Sequence, residues 1–188
     1  VSHTRGSTNY DLAWTLPLGG TRTTATLRAA RASSSVIEEP VASLDMASTV
    51  DTGEFTLAHP FIDEARRRWA VDLTYADRRN RTTLDSEPFV LVAGQDGDTA
   101  RTRTVRLFQD FTLRADRHVV AARLTWAQGR NNVLPVDALV VPARRYQLWQ
   151  LQAQASLALD DAGRQVLLRG QLQKAMDHLV PMEQMALG

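Results

Sequence analysis

"YQLWQLQAQASLALDD", residues 146–161, decides the fold. From Trp149 onward apolar and polar side chains alternate: Trp149, Leu151, Ala153, Ala155, Leu157 and Leu159 take odd numbers, and Gln150, Gln152, Gln154 and Ser156 take even ones. Successive side chains of an extended chain point to opposite sides, so this period of two describes a β-strand with one apolar and one polar face.

The pattern recurs along most of the chain. In "NYDLAWTLPL" Tyr10, Leu12, Trp14 and Leu16 alternate with Asn9, Asp11 and Thr15. "RWAVDLTYADR" sets Trp69, Val71, Leu73 and Tyr75 against Arg68, Asp72 and Thr74, and "HVVAARLTWAQ" sets Val120, Ala122, Leu124 and Trp126 against Arg123 and Thr125. Weaker versions surround Leu27, Phe55, Leu107 and Leu168. Eight antiparallel strands are predicted. Most run to about ten residues, longer than the usual five or six of soluble sheets and near the length of about 9 to 11 that a tilted strand needs to cross a bilayer.

The predicted connections alternate in length. Short ones occupy 17–21, 59–66, 115–117 and 160–163, and long ones 33–50, 78–101 and 129–143. Tight turns on one side and large loops on the other are the habit of up-and-down outer-membrane barrels. The polar face, built of Gln, Thr, Ser, Asp and Arg, suits a wet lumen. The apolar face is assigned Trp14, Trp69, Trp126, Trp149, Tyr10, Tyr75 and Tyr146, most of them near strand ends, where aromatic girdles sit. The same period would arise in a soluble or surface-attached β-sandwich used for adhesion or structure, whose aromatics would form the core.

Composition narrows the alternatives. An apolar content of 44% is ordinary for a folded protein, and a net charge of +1 argues against a nucleic-acid binder. The lack of Cys removes disulfide frameworks, thiolate metal sites and Cys nucleophiles together. No apolar run approaches the length of about 18 to 20 residues that a helical span requires.

With the alternation established, "LPLGG", "LAHPF" at 57–61, the Gln-rich strand and the closing "LRGQLQKAMDHLVPMEQMALG" resemble, in order and spacing, the barrel of two-partner secretion outer-membrane transporters, the haemolysin activation and secretion proteins. The strongest motif is "PMEQMALG", with Glu183, Gln184 and Gly188, and the next is "AHPF", with His59 and Pro60. The resemblance implies a partial transmembrane β-barrel, about eight strands of a larger one, cut at both ends. The periplasmic POTRA domains and the Val-Arg-Gly loop motif that should follow Gly188 are absent from this sequence, so no functional residue of the family can be carried over. It further implies residence in the bacterial outer membrane and export of an exoprotein of haemolysin or adhesin type by a transporter that is monomeric when full length. It implies contact with outer-membrane lipid, no catalysis, no cofactor and no metal. The lumen would be lined by Thr26, Arg28, Asp72, Thr74, Arg123, Gln150, Gln152, Gln154, Arg169 and Gln171. In this frame the last loop is extracellular, and strand parity places the long loops outside and the short turns in the periplasm.

Enzymatic signals are weak. The four His residues, at 3, 59, 118 and 178, share no metal-ligand spacing, and His59 before Pro60 is expected in a turn. Neither a G-x-S-x-G elbow nor a Gly-rich phosphate loop occurs. "AGQDGDTA" at 93–100 lacks the closing acid of a calcium loop and is expected to be a loop tip. "ARRRW" at 65–69 is expected to hold its three Arg at headgroup level beside Trp69.

Overall fold

The computed structural model describes residues 2–4, 6–35, 45–90, 99–132, 143–160 and 163–179. Eight long strands carry it: β2 (Ser7–Pro17), β3 (Thr24–Ser35), β4 (Ala47–Asp63), β5 (Arg67–Leu84), β7 (Thr99–Arg114), β8 (His118–Asn131), β9 (Arg145–Ala158) and β10 (Gln165–Ala175). The short β1 (Ser2–Thr4) pairs with β2, and the two-residue β6 (Glu87–Pro88) pairs with β5 beside the main path. All belong to one antiparallel sheet in which every long strand pairs with the next long strand in the chain. The sheet does not close, because its first and last strands do not pair with each other.

This is the expected order, with strands longer than the alternation suggested. β4, β5 and β7 have 17, 18 and 16 residues. The alternation fades in their added ends because both faces turn polar there, and paired charges take over the sheet. Arg31 bonds Asp51 across β3 and β4 at 2.8 Å, and Asp77 binds Arg101 across β5 and β7. The ladder itself continues unbroken to Thr99 and Arg81, since backbone pairing does not depend on an apolar face. The expected loops 33–50, 78–101 and 129–143 therefore shrink to 36–46, 89–98 with the β6 turn before it, and 132–144.

His59 and Pro60 correct a second expectation. They lie within β4, opposite Val71 and Ala70, and the connection to β5 is only 64–66. The register slips between Pro60 and Ile62, so Phe61 has no partner. A bulge admits Pro, which has no N–H to give the ladder. Phe61 turns its ring onto Trp69, 5.0 Å away and nearly parallel, with His59 edge-on at 4.7 Å. The His59 Nδ1 lies 2.9 Å from the Thr23 hydroxyl, which ties the turn between β2 and β3 to β4.

The connections between consecutive long strands sort cleanly. Those at 18–23, 64–66, 115–117 and 159–164 are short and share one rim, while the long ones share the other. No helix occurs among the described residues.

Candidate functional site

Pairing carries a face across the sheet, because directly opposite residues point the same way. Beginning at Gln152, the register runs to Arg123 on β8 and Gln171 on β10, while Gln150 meets Thr125 and Gln154 meets Arg169. Arg123 faces Asp110 on β7, Asp110 faces Ala70, and the next step along β5 sets Asp72 beside Phe108 and Thr74 beside Arg106. Thr74 then meets Thr56, Thr56 meets Thr26, and Glu54 meets Arg28. All ten expected polar-face residues thus share one side of the sheet. Phe55, Leu73, Leu107, Trp126, Trp149 and Leu151 take the other.

Burial identifies the concave side. Every buried strand residue among those described lies on the polar face, Thr74, Ala76, Thr102, Thr104, Ala127 and Tyr146 among them. Side chains converge inside a curved sheet and spread apart outside it. The opposite face accordingly leaves Leu12 at 74% and Leu168 at 64% exposure, and no second layer covers it among the described residues. A sandwich would have covered these side chains.

The polar face holds ordered charge. Arg28 bridges Asp11 on β2 and Glu54 on β4, the second at 3.0 Å, and Glu54 also accepts a bond from Arg78 at 3.3 Å. Arg123 binds Asp110 through two nitrogens at 2.6 and 2.7 Å and lies 5.4 Å from the centre of the Phe108 ring. Thr15–Thr26 and Thr56–Thr74 hydroxyl pairs at 2.9 and 2.8 Å continue the wet surface. Between these groups runs a trough of about 700 Å³ bordered by Arg68, Asp72, Asp110, Arg123, Gln154 and Arg169. Such a surface offers hydration and short-range pairing to an extended polypeptide.

Parity extends the sequence-based set. Asp11, Glu54, Arg78 and Asp110 belong to the polar face and are legible as the alternate positions of their strands, although they were not among the ten. Arg68 leaves its expected headgroup position and borders the trough, because it is one residue out of phase with Trp69. Arg66 and Arg67 stay at the short-turn rim, paired with Asp116 and Glu64. Tyr146 also changes sides. It is even-numbered on a strand whose apolar face is odd, and its ring lies buried over Gly129 with its hydroxyl 2.8 Å from that of Thr104. A Gly inside "AQGRN" was the available sign of such close approach. His59 lies on the apolar side with Val71, away from the ten. Glu183, Gln184 and Gly188 lie outside the described residues.

The ion pairs differ in depth, and their removal should differ with it. Glu54 is 14% exposed and serves two guanidinium groups, so Glu54→Gln should cost about 1 to 2 kcal/mol. Arg31, 59% exposed in its pair with Asp51, should be replaceable by Gln without measurable loss. Urea midpoints of protein folded into vesicles measure both, and equal shifts would contradict the assigned depths.

The architecture has a counterpart among solved structures. CdiB from Escherichia coli, a two-partner secretion transporter, superposes with a TM-score of 0.65 at 17% sequence identity, over 92% of this chain and 32% of its own. The fold is that of part of a β-barrel wall, an open sheet of antiparallel strands. This chain spans about a third of the length of the CdiB chain it matches. No known family profile matches the sequence, and no curated protein does.

Proposed function

We propose that this chain is the central wall of an outer-membrane transporter that exports a protein by two-partner secretion, and that its concave polar face lines the route. The observation that carries this reading is the segregation of the two faces: ion pairs, amides and hydroxyls on the concave side, and uncovered Leu, Trp, Tyr and Phe on the convex side. Lipid solvates the second, and water with an unfolded exoprotein of haemolysin or adhesin type occupies the first. The rim with long connections faces outward and the rim with tight turns faces the periplasm. The likeness to CdiB supports the same assignment. The transporter performs translocation rather than catalysis, requires no cofactor and acts as a monomer.

Single-cysteine labelling tests the orientation, and the native lack of Cys leaves no background within this segment. With native flanking sequence in place, Glu87→Cys should react with an impermeant maleimide added to intact cells, and Ala115→Cys should react only after the outer membrane is opened. Labelling of Ala115→Cys in intact cells, with Glu87→Cys protected, would reverse the topology. Secretion of the genetically linked exoprotein, lost on deletion of the transporter and restored by it, tests the activity.

A further inference from the structure

The convex face changes character toward the long-connection rim in a fixed sequence of rows. Leu107, Trp126 and Trp149 lie side by side on β7, β8 and β9. Two residues further along each strand come Val105, Gln128 and Gln147, and two further still Arg103, Arg130 and Arg145, again directly opposite one another. Like charges facing across a sheet weaken it, so a row of three Arg is costly unless something anionic lies against it. Among the described residues little does so. Asp77, at the end of the row, is shared among Arg79, Arg101 and Arg103, with the last at 3.5 Å. Asp177 accepts a bond from the backbone N–H of Gln147 at 3.3 Å. Among the described residues no carboxylate pairs with Arg130 or Arg145, and both are exposed.

We infer that Arg103, Arg130 and Arg145 form a binding site for the phosphorylated headgroup of an outer-leaflet saccharolipid of the lipid A class. The inference rests on the orientation proposed above. The Arg row stands about 13 Å along the strands from the Trp row, at a rise of roughly 3.3 Å per residue, which is headgroup depth for a strand tilted through an aromatic girdle. Three strands at about 4.8 Å spacing set the outer two guanidinium stems about 10 Å apart, a span suited to a headgroup bearing more than one phosphate. Guanidinium groups bind phosphate through paired, charge-assisted hydrogen bonds, and Gln128 and Gln147 between Arg and Trp offer amides to the sugar. The acyl chains then run down the uncovered Leu and Trp surface.

The test uses the protein with its native flanking sequence, purified from outer membranes in mild detergent, with bound lipid counted by native mass spectrometry. Delipidated protein is then titrated with bisphosphorylated lipid A, with phosphatidylglycerol and with inorganic phosphate. The variants are Arg103→Gln/Arg130→Gln/Arg145→Gln, Arg130→Gln alone, and Arg66→Gln/Arg67→Gln at the opposite rim as control. Affinity for lipid A should fall about tenfold or more in the triple variant, the equivalent of at least one charge-assisted contact, and measurably in Arg130→Gln. The control should be unchanged. Removing like charges from one row leaves the ladder intact, so the triple variant should keep its heat-modifiable folded band, and Arg130→Gln decides the matter if it does not. Unchanged lipid A affinity would overturn the site. An equal loss for phosphatidylglycerol would reduce it to a general anionic surface, and displacement of lipid A by millimolar inorganic phosphate would make it a free-anion site, each against the proposal. The labelling pattern of Glu87→Cys and Ala115→Cys reports the underlying orientation separately, so failure of the lipid site and failure of the topology give different results.

Discussion

Ala153→Arg will sharply reduce the amount of folded protein in the membrane, while Gln154→Arg, one residue away, will leave assembly near normal. Ala153 sits on the convex face of β9 between Ala122 and Gly170, in the middle of the apolar band and away from the Trp149 girdle. If the convex face meets lipid as proposed, a guanidinium placed there enters hydrocarbon and costs about 2 to 4 kcal/mol near the bilayer midplane. At about 1.4 kcal/mol per factor of ten, that is a loss of roughly 30- to 1,000-fold in the folding equilibrium. Gln154 faces Ala121 and Arg169 on the polar side, where water is available and a further charge is tolerated. The measurement is the heat-modifiable band in isolated outer membranes, followed by urea midpoints in vesicles. A third variant separates lipid from protein packing: Ala153→Leu should be accepted by fluid acyl chains, whereas a close-packed core would lose about 1 to 3 kcal/mol by overpacking. If Gln154→Arg proves as harmful as Ala153→Arg, the assignment of faces is wrong.

The second large effect is expected at Gly129. A Cβ built there would stand 2.1 Å from Cζ of Tyr146, 2.3 Å from its Oη and 2.5 Å from its Cε1, far inside contact distance. The ring has no room to retreat, being 2% exposed in a cluster with Ala127, Leu148 and Leu179. Gly129→Ala must therefore evict the ring and leave its site empty, and should cost about 3 to 5 kcal/mol, the range for removing a buried aromatic. Tyr146→Ala should cost a similar amount for the same reason. Tyr146→Phe keeps the ring and removes the hydroxyl with its bond to Thr104, worth about 1 kcal/mol. Because the two sites share one volume, the double variant Gly129→Ala/Tyr146→Ala should be clearly less damaged than the sum of its parts. Wild-type stability in Gly129→Ala would show that the ring does not rest on the glycine.

The eight strands, their antiparallel order and the division into two faces were legible in the sequence, because each follows from a local rule. Alternation of period two needs no distant partner to be read, and a charged residue between two apolar neighbours has only one side to occupy. Thr26, Arg28, Asp72, Thr74, Arg123, Gln150, Gln152, Gln154, Arg169 and Gln171 could be set on one face for that reason, and the register then joined them. What the tertiary structure decided is what depends on the neighbouring strand. The length of β4, β5 and β7 is carried past the apolar band by ladder bonds and by pairs such as Asp77 with Arg101, which leave no hydrophobic period to read. Pro60 is held inside a strand by a bulge, although Pro by itself signals a turn. Tyr146 owes its burial to the gap that Gly129 leaves on β8, and Arg103, Arg130 and Arg145, each a single charge in its own segment, become one row only when three strands come into register. A side chain's face is a property of its own strand, but its depth, its partners and the curvature that makes one face concave are set by strands far away in the sequence, and no local pattern encodes them.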